Sequence, residues 1–191
     1  PTANFTAVAA QEMPTSPAQL SHLKAYTQEK TLSRGERMSA EMNEIEVHLR
    51  ARYPLLYIIT WEEMRLLDTL AGICEKMSMD LYVWTITDGL WRHADPKEKD
   101  NTRNTPLSVL EAICSLKGRS QSVFALLDFH HYLADPSVNR KLRDTARKLK
   151  TSNRSVVIVS PLQVVPAELA KEMAVIDFPL PSQAELSEKL N

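Results

Sequence analysis

Glycine is scarce in this chain: four in 191 residues, Gly35, Gly72, Gly89 and Gly118. None stands in a G-x-x-x-x-G-K-[ST] or G-x-G-x-x-G spacing, so neither common backbone cradle for phosphate is encoded. Cysteine is almost as rare. Cys74 and Cys114 both fall on the apolar faces of expected helices and read as small core hydrophobes. Two such cysteines make no disulfide framework. With no signal peptide legible, a reducing compartment is expected, cytoplasm or plastid stroma. No apolar run approaches the ~18 residues that span a bilayer, so no membrane partner is expected. An excess of one charge is also missing. The net charge of −1 gives the whole chain no bias toward polyanions, and any such argument must be local. The chain opens on Pro1 rather than Met, which reads as a processed or excised piece.

What is present is an alternation of apolar strands and amphipathic helices. Residues 1–35, rich in Ala, Thr, Ser, Pro and Gln, read as a flexible arm or linker. Residues 36–191 read as one α/β domain. Met38, Met42, Ile45 and Leu49 recur at helical spacing, and Pro54 closes that helix and opens a strand over 54–59. Thr60 and Glu63 have the spacing of a capping box, followed by a stripe of Met64, Leu67, Leu70, Cys74 and Met77. Further strands are expected over 81–86, 123–128, 155–160 and 174–178. Between them lie a helix after Thr105-Pro106 carrying Leu107, Leu110, Ile113 and Cys114, and a helix after Asp135-Pro136 with Val138, Leu142, Ala146 and Leu149 inward. A short helix follows Pro166, and a last one begins at a Ser182/Glu185 capping box. The polar stretch 92–103 reads as a long surface loop. Near-continuous apolar strands suit a parallel sheet buried on both faces. The expected architecture is therefore a three-layer α/β sandwich with a five-stranded, mainly parallel sheet and right-handed crossovers. It has the character of a phosphate-loop nucleotide hydrolase that lacks the phosphate loop.

The candidate functional residues follow from that frame. The first strand should feed a glycine-rich loop, yet Thr60-Trp-Glu-Glu-Met64 follows it. Trp61 stands where the loop should begin, and its bulk would fill the space that glycines leave for phosphate if it turned inward. Asp128 ends an apolar strand, the form of a magnesium-site strand, but Phe129 occupies the place of a water-polarising glutamate. Ser160 ends the fourth strand and is either a γ-phosphate sensor or a turn former before Pro161. Thr60, Asp128 and Ser160 are thus vestigial nucleotide-site candidates. His130 and His131 are adjacent, and on an extended segment they would point apart, so no metal site is expected. Arg140, Arg143, Arg147 and Lys150 form a basic stripe on one helix. It is a solvated face, an acidic protein partner's surface or a phosphate-backbone surface, the last without interleaved aromatics. A divergent enzyme using Asp128 and His130 is a third possibility.

Several stretches in order carry a resemblance. They are 49–58 (LRARYPLLYI), 81–90 (LYVWTITDGL), 127–133 (LDFHHYL), 140–147 (RKLRDTAR), 156–161 (VVIVSP) and 177–181 (DFPLP). Together they resemble the N-terminal region of the AAA-type ATPases of algal plastids and cyanobacteria, over about residues 41–191. The resemblance implies a degenerate AAA-like domain ahead of a separate catalytic module. ATP and magnesium would belong to that module, and no catalytic residue or cofactor site is carried over here. It implies a role in binding a partner or substrate protein, the chain's own AAA module or further copies in a ring. Trp61, His130 and the basic stripe are the candidate contacts, and a nucleic-acid-binding module using helix 136–150 is the alternative.

Overall fold

The computed structural model describes residues 44–116 and 121–178. Residues 44–50 are helical and bury Ile45 and Leu49. In chain order there follow β1 (Leu55–Ile59), α1 (Glu63–Met77), β2 (Asp80–Thr85), β3 (Gly89–Arg92), β4 (Asp95–Asp100), α2 (Pro106–Ser115), β5 (Ser122–Leu127), α3 (Pro136–Leu149), β6 (Arg154–Ser160) and β7 (Met173–Asp177). The arm over 1–35 and the last helix expected from Ser182 lie outside the described residues.

All strands join one sheet in the order β4-β3-β2-β5-β6-β1-β7. The five expected strands are all present and pair in parallel: β2 with β5, β5 with β6, β6 with β1, and β1 with β7. The sheet nevertheless has seven strands rather than five. β3 precedes the stretch expected to be a loop and pairs antiparallel with β2, and the loop itself contains β4, antiparallel to β3. Every β4 residue is exposed, and its sequence DPKEKD has none of the alternation by which a strand is recognised. Its position at the sheet edge explains how it can be a strand. An edge strand tolerates proline on its free side, and charge there discourages pairing with another chain.

Strict alternation divides the buried residues between two faces. On one, Leu56, Ile58, Val83, Val123, Ala125, Val157 and Val159 meet Leu66, Leu67, Leu70, Ile73 and Cys74 of α1, together with Ile45 and Leu49. On the other, Leu55, Tyr57, Trp84, Phe124, Leu126, Val156 and Ile158 meet Val109, Leu110 and Ile113 of α2 and Val138, Leu142, Ala146 and Leu149 of α3. The result is the expected three layers. Full burial of each of Trp84, Tyr57, Phe124 and Phe129 contributes about 1.5–3 kcal/mol. Thr105 caps α2 in a reciprocal box with Ser108, and Asp135 caps α3 through the amides of Ser137 and Val138, as the sequence implies. Three local expectations fail. Met64 is 70% exposed, in the first turn of α1, which starts only at Glu63. Leu107 is likewise exposed in the first turn of α2. Residues 166–172 form hydrogen-bonded turns rather than a helix, although Leu169 is fully buried as expected.

Candidate functional site at the carboxyl edge of the sheet

In an open α/β sheet ligands collect beyond the carboxyl ends of the strands, where successive connections depart to opposite faces. Here β1 leads to α1 on one face, and β5 leads to α3 on the other. Strand β6 lies between β1 and β5, so Thr60, Ser160 and Asp128 stand at three neighbouring strand ends. Backbone hydrogen bonds fix the alignment. The Thr60 amide donates to the Ser160 carbonyl (2.8 Å), and the Asp128 amide donates to the Val159 carbonyl (3.1 Å). The three residues singled out in the sequence therefore share one edge.

The turn from β1 into α1 is closed by its own contacts. Besides the Thr60 amide, the Glu62 amide is taken up by the Thr60 hydroxyl (3.0 Å). Thr60 is thus a turn residue and not the helix cap that its spacing to Glu63 implies. The N-cap is Glu62, with no side-chain capping bond. Trp61 does not turn inward; it is 76% exposed. Glu62 is clamped by the Arg65 guanidinium at 2.6 Å, and that guanidinium lies 4.3 Å over the Phe178 ring at the end of β7. Ser160 acts as a turn former: its hydroxyl donates to the Leu162 carbonyl (2.8 Å) and accepts from the Leu162 amide (3.1 Å). Buried Tyr57 holds the same loop, its hydroxyl donating to the Leu162 carbonyl and accepting from the Val164 amide.

The end of β5 departs furthest from expectation. Asp128 adopts a left-handed conformation (φ +55°), and a 3-10 turn follows over Phe129–Tyr132. The turn brings one ligand atom each of Asp128, His130 and His131 within 4.8 Å of one another. The histidines do not point apart as an extended segment would require. Their ring centroids are 4.0 Å apart with a 36° tilt. Phe129 anchors the turn from below, edge-on to both Trp84 and Tyr132. His130 is 95% buried, since its relative exposure is 5%, and its Nδ1 has no hydrogen-bond partner. Burial, and then the adjacent His131, push the His130 imidazole below its ordinary range, while Asp128 pulls it back up. Glu63, which the sequence reading treated only as a cap, belongs to the same region. Its carboxyl is raised by burial and by the charge of Asp128.

The basic stripe lies on α3. Arg140 and Arg147 both pair with Asp144 (3.1 and 3.7 Å), Lys150 pairs with Glu172 (2.6 Å) and Lys141 with Glu111 (3.2 Å). The face is therefore a lattice of both signs and not a bare cationic track. Arg143 is half-buried and lines a shallow groove with Arg140, Asn139 and Glu168. Among the described residues no helix is long and apolar enough to cross a membrane.

The fold and its edge define a class: a mixed α/β domain of the AAA-like kind, with a seven-stranded sheet and its chemistry-bearing residues at the carboxyl ends of the strands. Residues 41–178 match the family described as SpoVK-like AAA ATPase, N-terminal domain, and the chain belongs to that family. It is 32% identical over 149 residues to the uncharacterized AAA domain-containing protein ycf46 of Trieres chinensis, covering 78% of this chain and 30% of that one. The same-named protein of Guillardia theta is 29% identical over 150 residues (78% and 29%), and that of Pyropia yezoensis 32% over 148 (77% and 30%). The chain thus spans about three-tenths of the length of these relatives.

Proposed function

We propose that this chain is the non-catalytic N-terminal domain of a longer AAA-type ATPase. It binds a partner or substrate protein, or packs against its own AAA module or other copies in a ring, while ATP and magnesium are handled outside it. One observation carries this reading. The turn that would have to cradle phosphate spends two of its amides internally, Thr60 on the Ser160 carbonyl and Glu62 on the Thr60 hydroxyl, and sets Glu62 and Glu63 at the helix N-terminus. Phosphate binding needs free amides at that terminus and gains from its partial positive charge. Carboxylates in the same place compete with a triphosphate. Exposed Trp61 and Met64 next to this turn, rather than a nucleotide pocket, offer a contact surface for another protein.

Isothermal titration of the chain with Mg-ATP tests the reading. No heat of binding is expected at micromolar concentrations. Micromolar binding that Thr60→Ala or Glu63→Ala alters would defeat it. The contact surface is tested in parallel by capture of the intact protein's own AAA module. Trp61→Ala should weaken that capture and leave folding unchanged, and undiminished capture would refute the role given to Trp61.

A further inference from the structure

We propose that Asp128, His130 and His131 form a binding site for one divalent transition-metal ion of the zinc type. One ligand atom from each of the three lies within 4.8 Å of the others. A tetrahedral ion with bonds of about 2.0–2.1 Å spaces its ligands about 3.4 Å apart. The cluster therefore closes by modest rotations of Asp128 and His131, whose side chains are exposed and free to make them. His130 is the fixed member, held within the turn that Phe129 anchors in the core.

Two further observations point to a ligand there. A buried polar atom without a partner costs about 1–3 kcal/mol, and His130 Nδ1 is such an atom. Asp128 holds a left-handed backbone, which few residues besides glycine, asparagine and aspartate adopt readily, and such conformations gather at functional sites. The donor set decides the class of ion. Two imidazoles and one carboxylate suit zinc, cobalt, nickel or copper, whereas magnesium and calcium prefer all-oxygen shells. Three protein ligands leave a fourth position for water or for a partner's side chain. The site shares Asp128 with the magnesium-site strand pattern read in the sequence, but takes its other ligands from His130 and His131 and not from a phosphate at the β1–α1 turn.

The test uses the metal-free chain and the metals alone. Zinc titration should give one ion per chain and a higher melting temperature, and cobalt should give the intense visible bands of a tetrahedral site. Asp128→Asn and His131→Ala, both at exposed positions, should each weaken binding by about tenfold or more. A His48→Ala/His93→Ala double variant, which removes the two half-buried histidines that lie outside the cluster among the described residues, should bind as the parent does. Binding of magnesium as tight as that of zinc would overturn the proposal. So would zinc binding indifferent to Asp128→Asn and His131→Ala, or lost only in the double variant.

Discussion

Gly89→Ala should unfold the outer ribbon, and the structure fixes its size. Gly89 has φ +72°, and a Cβ built there would lie 2.1 Å from the Asp100 carbonyl oxygen and 2.8 Å from its carbon. Both are backbone atoms of the paired strand, so no side-chain rotation relieves the overlap. The left-handed conformation alone costs an L-residue roughly 1–2 kcal/mol. Parting β3 from β4 by more than an ångström also loses the ladder around Leu90 and Asp100, for a total of about 3–4 kcal/mol. At roughly 2–4 °C per kcal/mol for a chain of this length, the melting midpoint should fall by about 6–16 °C. Gly72→Ala is the matched control. It sits within α1 with nothing inside 4 Å of a new Cβ, so it should gain about 0.5–1 kcal/mol and melt slightly higher. Circular dichroism melts of the two variants read opposite signs from the same chemical change. A Gly89→Ala chain melting with the parent would show that β3 and β4 do not pair as described.

Two further predictions concern the interior. Burial, and next the charge of Asp80, push the Cys74 thiol up to about 12. The folded value exceeds the unfolded one near 9, so the neutral thiol contributes stability that is fully present below pH 9 and is lost as the pH rises toward 12. The loss is on the order of 4 kcal/mol at most. Alkaline melts of Cys74→Ala should lack that component, and in the native parent a thiol reagent should modify half-buried Cys114 well before Cys74. Arg154, buried at the start of β6, donates from its guanidinium to the Ile113 and Leu116 carbonyls at the end of α2. Arg154→Met should cost about 2–3 kcal/mol by urea denaturation. A cost below about 0.5 kcal/mol would mean that these carbonyls find other donors without loss.

The central sheet was legible because its signal is local. Residues 55–59, 122–127 and 154–160 are runs of apolar, mostly branched side chains that only a strand buried on both faces can place. The caps at Thr105 and Asp135 were legible for the same reason, since a cap is chemistry within four residues. β4 was not, because its strand state comes from pairing with β3, and its own side chains record only an exposed edge. Thr60 misled because a Thr-x-x-Glu spacing cannot reveal which residue first turns helical; a hydrogen bond to Glu62 settled that. The histidine cluster was hidden by the local backbone conformation. Had Phe129–Tyr132 been extended, His130 and His131 would face opposite sides, and nothing in LDFHHYL announces the left-handed step at Asp128 or the 3-10 turn after it. A recognisable hint was present all the same: Asp is among the few residues that enter that region readily.

Phosphate and a metal cation make opposite demands on a strand-end edge, which is why the two proposals about this edge can be separated. A triphosphate needs donors, and at the β1–α1 turn the amides of Thr60 and Glu62 are already committed while Glu62 and Glu63 add negative charge. A bare cation needs acceptors, and Asp128 and the histidine pair supply them at the end of β5, two strands away from β1. Zinc binding with no response to ATP would support both readings. ATP binding that appears only once zinc is present would place the nucleotide on the metal's open position. The domain would then be a metal-dependent nucleotide sensor, and the claim of a lost phosphate site would fall while the ion site stood. Neither outcome depends on the basic face of α3, whose cations already share Asp144, Glu172 and Glu111.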